Sequence, residues 1–457
     1  MNMIFDRTVA ALSTPYGRGA IAMIRMTGDD SVGIASAVFR PKNGKPVDQL
    51  SPAHAYYGYF VCDGEIIDDG MLTLYRAPVS YTGEDMAELC CHGGVLVSSL
   101  LLKALYDAGA CPAEGGEFTK RAFVNGKLKL TEAEAIMDVI DADSFGALRL
   151  AGANNRGLLS GAAEKMYNEL RHLIAQTYAY IDYPDEDMTD VTADELRERV
   201  AALLCEARKL KDSYGRATVV KNGVDTVICG APNVGKSSLL NLLTGKQTAI
   251  VTEIPGTTRD IVTGAAVLGD VRLQLSDTAG IRNTSDEVER IGVDLARGAI
   301  EEAGLVLAVF DGSREPEEDE LSLIQKLKTL KTPVVAVVNK SDVPVVFGYD
   351  GLFEHTVHIS AKTGEGKEEL GRLIGRLFLE GGIDYAAPHI VNERQYSQIG
   401  RFITSLSSAL SALDSGQTQD IACLDLEDAL SALSELDGRE VNDDIVGEIF
   451  SKFCVGK

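Results

Sequence analysis

The chain has 457 residues, 45% hydrophobic and 25% charged, with a formal net charge of −24. That length exceeds one compact core and implies roughly two to four domains. The acidity argues against a free-standing nucleic-acid surface, because phosphate neutralisation needs a basic face, so any such contact takes a local patch or a partner.

The first 120 or so residues mix short β-rich runs, "GAIAMIR", "HAYYGYFV" and "GMLTLYRAP", with Gly/Pro turns. The helical run "VLVSSLLLKALYDAG" follows, which makes this part α+β. From about Leu130 the texture becomes alanine-rich with apolar residues at helical spacing and no proline until Pro184. A second helical stretch, "TADELRERVAALLCEARKLKDSYG", opens on Thr192 with Glu195 three residues later, a capping-box pattern.

At about residue 217 the pattern changes again. "DTVICGAPNVGKSS", "VRLQLSDTAG", "GLVLAVFDGS", "PVVAVVNKSD" and "HTVHISAKTG" are apolar runs that each end in a polar or glycine-rich loop. Helical segments alternate with them, the rhythm of a doubly wound parallel α/β sheet. After about Ile383 the chain returns to helix. The domains expected are residues 1–123 (α+β), 124–216 (helical, first half), 217–383 (inserted α/β) and 384–457 (helical, second half). The fold class is thus multidomain α/β + α with a discontinuous all-helical domain; the alternative is two separate helical domains.

No apolar run is long enough to cross a bilayer, and "MNMIFDRTVA" has no charged-then-apolar leader, so a cytoplasmic protein is expected. Eight cysteines form no C-x-x-C pair, and six histidines form no H-x-x-x-H pair. Buried thiols are expected in place of zinc or disulfides, and His92 reads as a structural loop residue.

"GAPNVGKS" at Gly230–Ser237 fits G-x-x-x-x-G-K-[ST] between an apolar strand and an apolar helix. In that setting Asn233, Val234, Gly235, Lys236, Ser237 and Ser238 cradle phosphates with backbone N–H groups and a helix N-terminus. Lys236 reaches the β/γ-phosphates and Ser237 takes Mg²⁺. A P-loop alone does not separate ATP from GTP. "NKSD" does: with Asn339 and Lys340 it supplies Asp342, an acceptor-only carboxylate for the two N–H donors on one edge of guanine. "SAK" at Ser360, Ala361 and Lys362 suits a backbone contact to the guanine oxygen.

The remaining nucleotide contacts are read in "TEIPGTT" (Thr252, Glu253, Ile254, Pro255, Gly256, Thr257, Thr258) and "DTAG" (Asp277, Thr278, Ala279, Gly280). The P-loop, "PGTT", "DTAG" and "NKSD", four motifs in this order, define a P-loop GTPase. Yet Ile281 stands where many GTPases carry the glutamine that orients water, and it makes no hydrogen bond. Asn233 is one candidate replacement, through a monovalent cation; read alone it is a turn residue. Asp286, Glu287 and Glu289 downstream are candidate water-orienting carboxylates, and Arg282 and Arg290 candidate charge stabilisers.

"TPYGRGAIAMIR", "SYTGEDMAEL", "GEFTKRAFVNGKLKLTEAEAI", "IDYPDED", the G motifs, "DEVERIG" and the terminal "FCVGK" together resemble, end to end, the MnmE (TrmE) family of tRNA modification GTPases. Val455 departs mildly from the family's C-I-G-K ending. The resemblance implies an N-terminal domain that binds a tetrahydrofolate derivative (5-formyl- or methylene-type) through Arg25, Glu88, Lys127 and Lys457 and mediates homodimerisation. It implies K⁺ at Asn233, Thr252, Ile254 and Thr257, Mg²⁺ at Ser237 and Thr258, and Glu289 as the catalytic, water-organising carboxylate. It further implies aminomethyl or carboxymethylaminomethyl addition at C5 of the tRNA wobble uridine. The implied partner is an MnmG-like flavoprotein, giving a heterotetramer that shares the tRNA contact, with no membrane. Cys454 falls near the implied folate pocket, as a reactive group or a packed thiol. The competing readings are an assembly GTPase switch without covalent chemistry and a nucleotide-binding scaffold that never hydrolyses.

Overall fold

The computed structural model describes residues 5–182, 192–245, 264–277, 303–380 and 382–456. They divide into two compact units: Met1–Ile140 with Asn154–Arg208 and Ser397–Lys457, and Asp141–Ala153 with Lys209–Tyr396.

The first unit opens with a sheet built from β1 (Val9–Leu12), β2 (Ile21–Thr27), β3 (Phe39–Pro41), β4 (Ala55–Cys62), β5 (Glu65–Tyr75), β6 (Met86–His92) and β7 (Cys111–Pro112). Helices α1 (Ser31–Val38), α2 (Val95–Asp107) and α3 (Glu117–Val124) accompany it. The order is β3-β4-β5-β6-β2-β1-β7, antiparallel apart from β1–β7. Period-two patterning explains β2: Ile24 and Met26 point into the core while Arg25 lies between them on the wetter face. The β4–β5 hairpin turns on Asp63 and Gly64, both at positive φ, the Asp-Gly pair that matches strand twist.

Helices α4 (Leu130–Asp141), α5 (Phe145–Asn155), α6 (Leu158–Asp182) and α7 (Ala193–Asn222) follow. The capping box at Thr192 is formed: Glu195 N donates to Thr192 Oγ1 and Thr192 N to Glu195 Oε2, each at 3.2 Å. Within the first unit, chain from both flanks packs together. Arg439 meets Glu164 at 3.3 Å and stacks over the Tyr167 ring, and Arg197 meets Asp414 at 2.9 Å. The helical part is therefore discontinuous in sequence.

The second unit carries β8 (Val224–Cys229), α8 (Lys236–Thr244), β9 (Gly264–Leu268), β10 (Val271–Asp277), β11 (Leu305–Asp311), α9 (Glu318–Leu327), β12 (Val334–Asn339), β13 (His355–His358) and α10 (Lys367–Phe378). Helices α11 (Glu393–Asp414), α12 (Gln419–Asp437) and α13 (Asp443–Ser451) complete the described chain.

The sheet order is β13-β12-β11-β8-β10-β9. β11 is buried throughout. Leu305, Leu307 and Val309 join one apolar layer, and Val306, Ala308 and Phe310 the other, so this strand is apolar on both faces as a covered parallel strand must be. β9 departs from the all-parallel rhythm: it folds back on β10 as an antiparallel edge through a turn at Gly269-Asp270.

Candidate functional site

Strands β8, β10, β11, β12 and β13 run parallel, so their C-terminal ends share one edge, where open α/β sheets bind ligands. β8 delivers Gly230–Gly235 and then α8, with Lys236 in its first turn and Ser237 and Ser238 exposed there. Gly230 and Gly235 have φ of 148° and 100°. A Cβ on Gly230 would lie 2.3 Å from Val309 O, and one on Gly235 2.1 Å from Asn339 Nδ2. No other residue fits either position. Asn233 is exposed at φ 62°, the left-handed region asparagine tolerates, so a turn role is satisfied. Lys236 Nζ donates to Gly230 O (2.9 Å) and Ala231 O (2.7 Å), which keeps the ammonium over its own loop.

Asn339 is buried and spans three motifs. Its Nδ2 donates to Val234 O at 2.8 Å, and its Oδ1 accepts from Ala361 N at 3.0 Å. The P-loop, "NKSD" and "SAK" are thereby fastened to each other. Asp342 Oδ1 accepts from Ser360 Oγ at 2.8 Å, and Lys362 Nζ lies 3.9 Å from Oδ2.

Lys340, at φ 70°, reaches across to Asp311 at 2.6 Å. Asp311 Oδ1 also accepts from Ser313 N (3.0 Å) and Oγ (2.6 Å). Burial pushes the Asp311 carboxyl up, but the bonds from Lys340 and Ser313 outweigh it and hold the pKa below the usual range. Sequence reasoning missed Asp311; the signal was a carboxylate ending a wholly apolar strand.

Asp277 ends β10 as the Cα partner of Ile228. Residues Thr252, Glu253, Ile254, Pro255, Gly256, Thr257, Thr258, Thr278, Ala279, Gly280, Arg282, Asp286, Glu287, Glu289 and Arg290 lie outside the described residues, as does Lys457.

In the first unit, Arg25 and Glu88 are cross-strand partners, with Nε to Oε1 at 2.9 Å. Tyr75 Oη donates to Glu88 Oε2 at 3.1 Å, and the Arg25 guanidinium lies 5.7 Å from the Tyr81 ring centre. Burial raises the pKa of both tyrosines, so they remain donors. Lys127 Nζ donates to Pro78 O at 3.0 Å, on the same 76–85 loop that carries Tyr81. Three of the four residues are thus tied to one loop or to its flanking strands; the two tyrosines were not read from sequence.

The C-terminal tail seats against the same domain. Val455 bridges Gly115, Gly116 N donates to Cys454 O at 3.3 Å, and Ser13 Oγ to Gly456 O at 2.9 Å. Cys454 is exposed, whereas Cys62, Cys91, Cys229 and Cys423 are buried free thiols. His92 ends β6 exposed, with Nδ1 2.8 Å from Asp68, a bond that raises its pKa. Among the described residues no helix is long and apolar enough to cross a membrane.

A glycine-lined phosphate loop fastened to an asparagine-lysine-aspartate loop at the C-terminal edge of a doubly wound sheet defines a P-loop GTPase. A family model described as the MnmE helical domain matches residues 130–454, and one described as the GTP-binding protein TrmE N-terminus matches residues 8–127. A "tRNA modification GTPase MnmE" of Clostridioides difficile (strain 630) is 35% identical over 461 residues, covering 100% of both chains. Relatives of the same description come from Lactobacillus acidophilus (37%; 99% of this chain, 98% of that one) and Carboxydothermus hydrogenoformans (38%; 99% and 100%). The chain belongs to the MnmE (TrmE) family of tRNA modification GTPases.

Proposed function

We propose that this chain hydrolyses GTP to drive modification of the tRNA wobble uridine at C5, adding an aminomethyl or carboxymethylaminomethyl group with an MnmG-like flavoprotein. The observation that carries the nucleotide part is Asn339. By bonding both the P-loop and the "SAK" backbone, it sets phosphate and base recognition at a fixed separation. Asp342 is the guanine acceptor, and the Ala361 region meets the guanine oxygen.

Mg²⁺ at Ser237 and K⁺ at the exposed Asn233 side chain suit these donors: a hydroxyl at a helix N-terminus and an amide oxygen beside the phosphate loop. Bound there, the cations supply positive charge to the phosphates. Thr258 completes the Mg²⁺ set and Thr252, Ile254 and Thr257 the K⁺ set; Glu289 orients the water in place of the glutamine that Ile281 replaces. A folate donor engages Arg25 and Glu88 in exchange for their mutual ion pair, with Lys127 and Lys457 toward its acidic tail. The working form is a cytoplasmic homodimer, heterotetrameric with the flavoprotein.

The test is GTP turnover by the purified chain in matched potassium and sodium chloride. Turnover confined to potassium, and lost in Asn233→Ala, is the expected result. Equal turnover in both salts would assign Asn233 to the turn alone and return Arg282 and Arg290 as charge donors. Nucleoside analysis of tRNA from cells lacking the chain checks the modification itself: an unchanged wobble uridine favours the assembly-switch reading.

A further inference from the structure

The C-terminal end of β11 holds a buried carboxylate that no part of the nucleotide reading uses. Asp311 is 4% exposed, and its partners Ser313, Arg314 and Lys340 all follow the C-terminal ends of β11 and β12. Ser313 N and Oγ fix one oxygen from its own loop. The other oxygen takes the Lys340 ammonium at 2.6 Å, with Arg314 Nε at 3.7 Å. The parallel register places Asp311 directly beside Asn339, the residue that fastens the P-loop. Gly312 N donating to Asn339 O at 3.0 Å locks the same two strand ends.

Lys340 sits between Asn339 and the guanine acceptor Asp342, and its backbone is held in the left-handed region. A four-carbon side chain from such a position has many rotamers and loses entropy when ordered. Anchoring its charged end on a buried, pre-oriented carboxylate selects one of them before a nucleotide arrives. The aliphatic stem then runs from the end of β12 to the end of β11, two residues ahead of Asp342 in the chain. Preorganisation of this kind raises affinity by reducing what must be ordered on binding.

We infer that Asp311 is a positioning residue of the guanine-nucleotide site: it holds the Lys340 ammonium so that the lysine stem forms a fixed wall beside the base. The inference rests on the guanine-site assignment made above. It acts through Lys340 and at the base end, so GDP and GTP should be affected alike.

The experiment is calorimetric titration of the full chain with GDP and GTP. Asp311→Asn keeps the side chain's size and an acceptor for Ser313 but removes the charge. For a charge-assisted bond discounted for a half-exposed lysine, the expected loss is on the order of tenfold in Kd for both nucleotides. Lys340→Met, which keeps the stem and drops the ammonium, should show a comparable loss. Asp311→Asn added to Lys340→Met should then change nothing further.

Native affinity in Asp311→Asn, or an equal loss in the Lys340→Met background, overturns the inference. Should Asp311→Asn not fold, Ser313→Ala removes the hydroxyl that steers the carboxylate. It should give a smaller loss in the same direction, again absent beside Lys340→Met; no loss, or a loss that persists there, refutes it. Asp342→Asn separates the two readings. A shift of selectivity from GDP toward xanthosine diphosphate, with Asp311→Asn silent, overturns the positioning role alone; unchanged guanine selectivity in Asp342→Asn overturns the site assignment beneath it.

Discussion

Gly235→Ala isolates the joint between phosphate loop and base loop. Two costs add. A Cβ at φ 100° carries a left-handed penalty of about 1–2 kcal/mol. That Cβ also falls 2.1 Å from Asn339 Nδ2, so the amide must leave Val234 O, forfeiting a buried hydrogen bond worth about 1–3 kcal/mol when one partner is left unmet. The sum is about 2–5 kcal/mol, or at least about thirtyfold in nucleotide affinity if the loop relaxes when free and must be re-formed on binding. Gly269→Ala is the control: φ is 66° in the β9–β10 turn, but nothing among the described residues lies within 4 Å of its Cβ. It should lower thermal stability by the backbone cost alone and leave GDP affinity unaltered. Calorimetric GDP binding and thermal unfolding of both variants decide the matter. Native GDP affinity in Gly235→Ala, or equal losses in the two variants, would refute the joint.

Gly456→Ala puts a Cβ 2.5 Å from Leu12 O at a φ of 94° and should lift the tail from β1; a drop in tetrahydrofolate affinity measured by fluorescence, with GDP binding unchanged, is expected, and unchanged folate binding would detach the tail from that site. Asp437 is buried with no donor to Oδ1 among the described residues, and burial raises its pKa from 3.8 to about 6 despite Arg439 and Lys129, with Glu164 and Glu132 adding to the rise. The unfolded chain ionises first, so this group's contribution is present below pH 4, is lost as pH rises through about 6, and amounts to about 3 kcal/mol at 1.36 kcal/mol per pH unit. Urea unfolding at pH 5 and pH 7.5 should therefore show a shallower pH dependence in Asp437→Asn than in the parent chain; identical slopes would count against it.

Local patterns announced the elements that depend on local patterns. β11 is readable because "LVLAVF" is apolar at every step up to Asp311, and the P-loop because its spacing encodes a turn only glycine can make. β9 was not, since "GAAVL" is short and gains strand character only by pairing with β10. The site divides in the same way. Asn339 and Asp342 stand in one tetrapeptide, whereas the Asp311–Lys340 pair exists because two strands 29 residues apart meet in one register. Arg25 and Glu88 are 63 residues apart and become neighbours only across β2 and β6; the family resemblance named them, and spacing did not.

The bond from Ser13 to Gly456 joins residues 443 apart, nearly the whole length of the chain. Synthesis proceeds from the N-terminus at about 5–20 residues per second. β1 thus leaves the ribosome long before its neighbour at Gly456 is made. The sheet at the start of the chain must wait, with the Leu12–Ser13 edge uncovered, while the whole α/β segment between is translated. Closing so long a loop comes late in any folding order, because its entropy cost precedes its reward. A chain stalled before Gly456 would therefore carry a finished nucleotide-binding sheet and an N-terminal sheet still without its tail contact at Ser13.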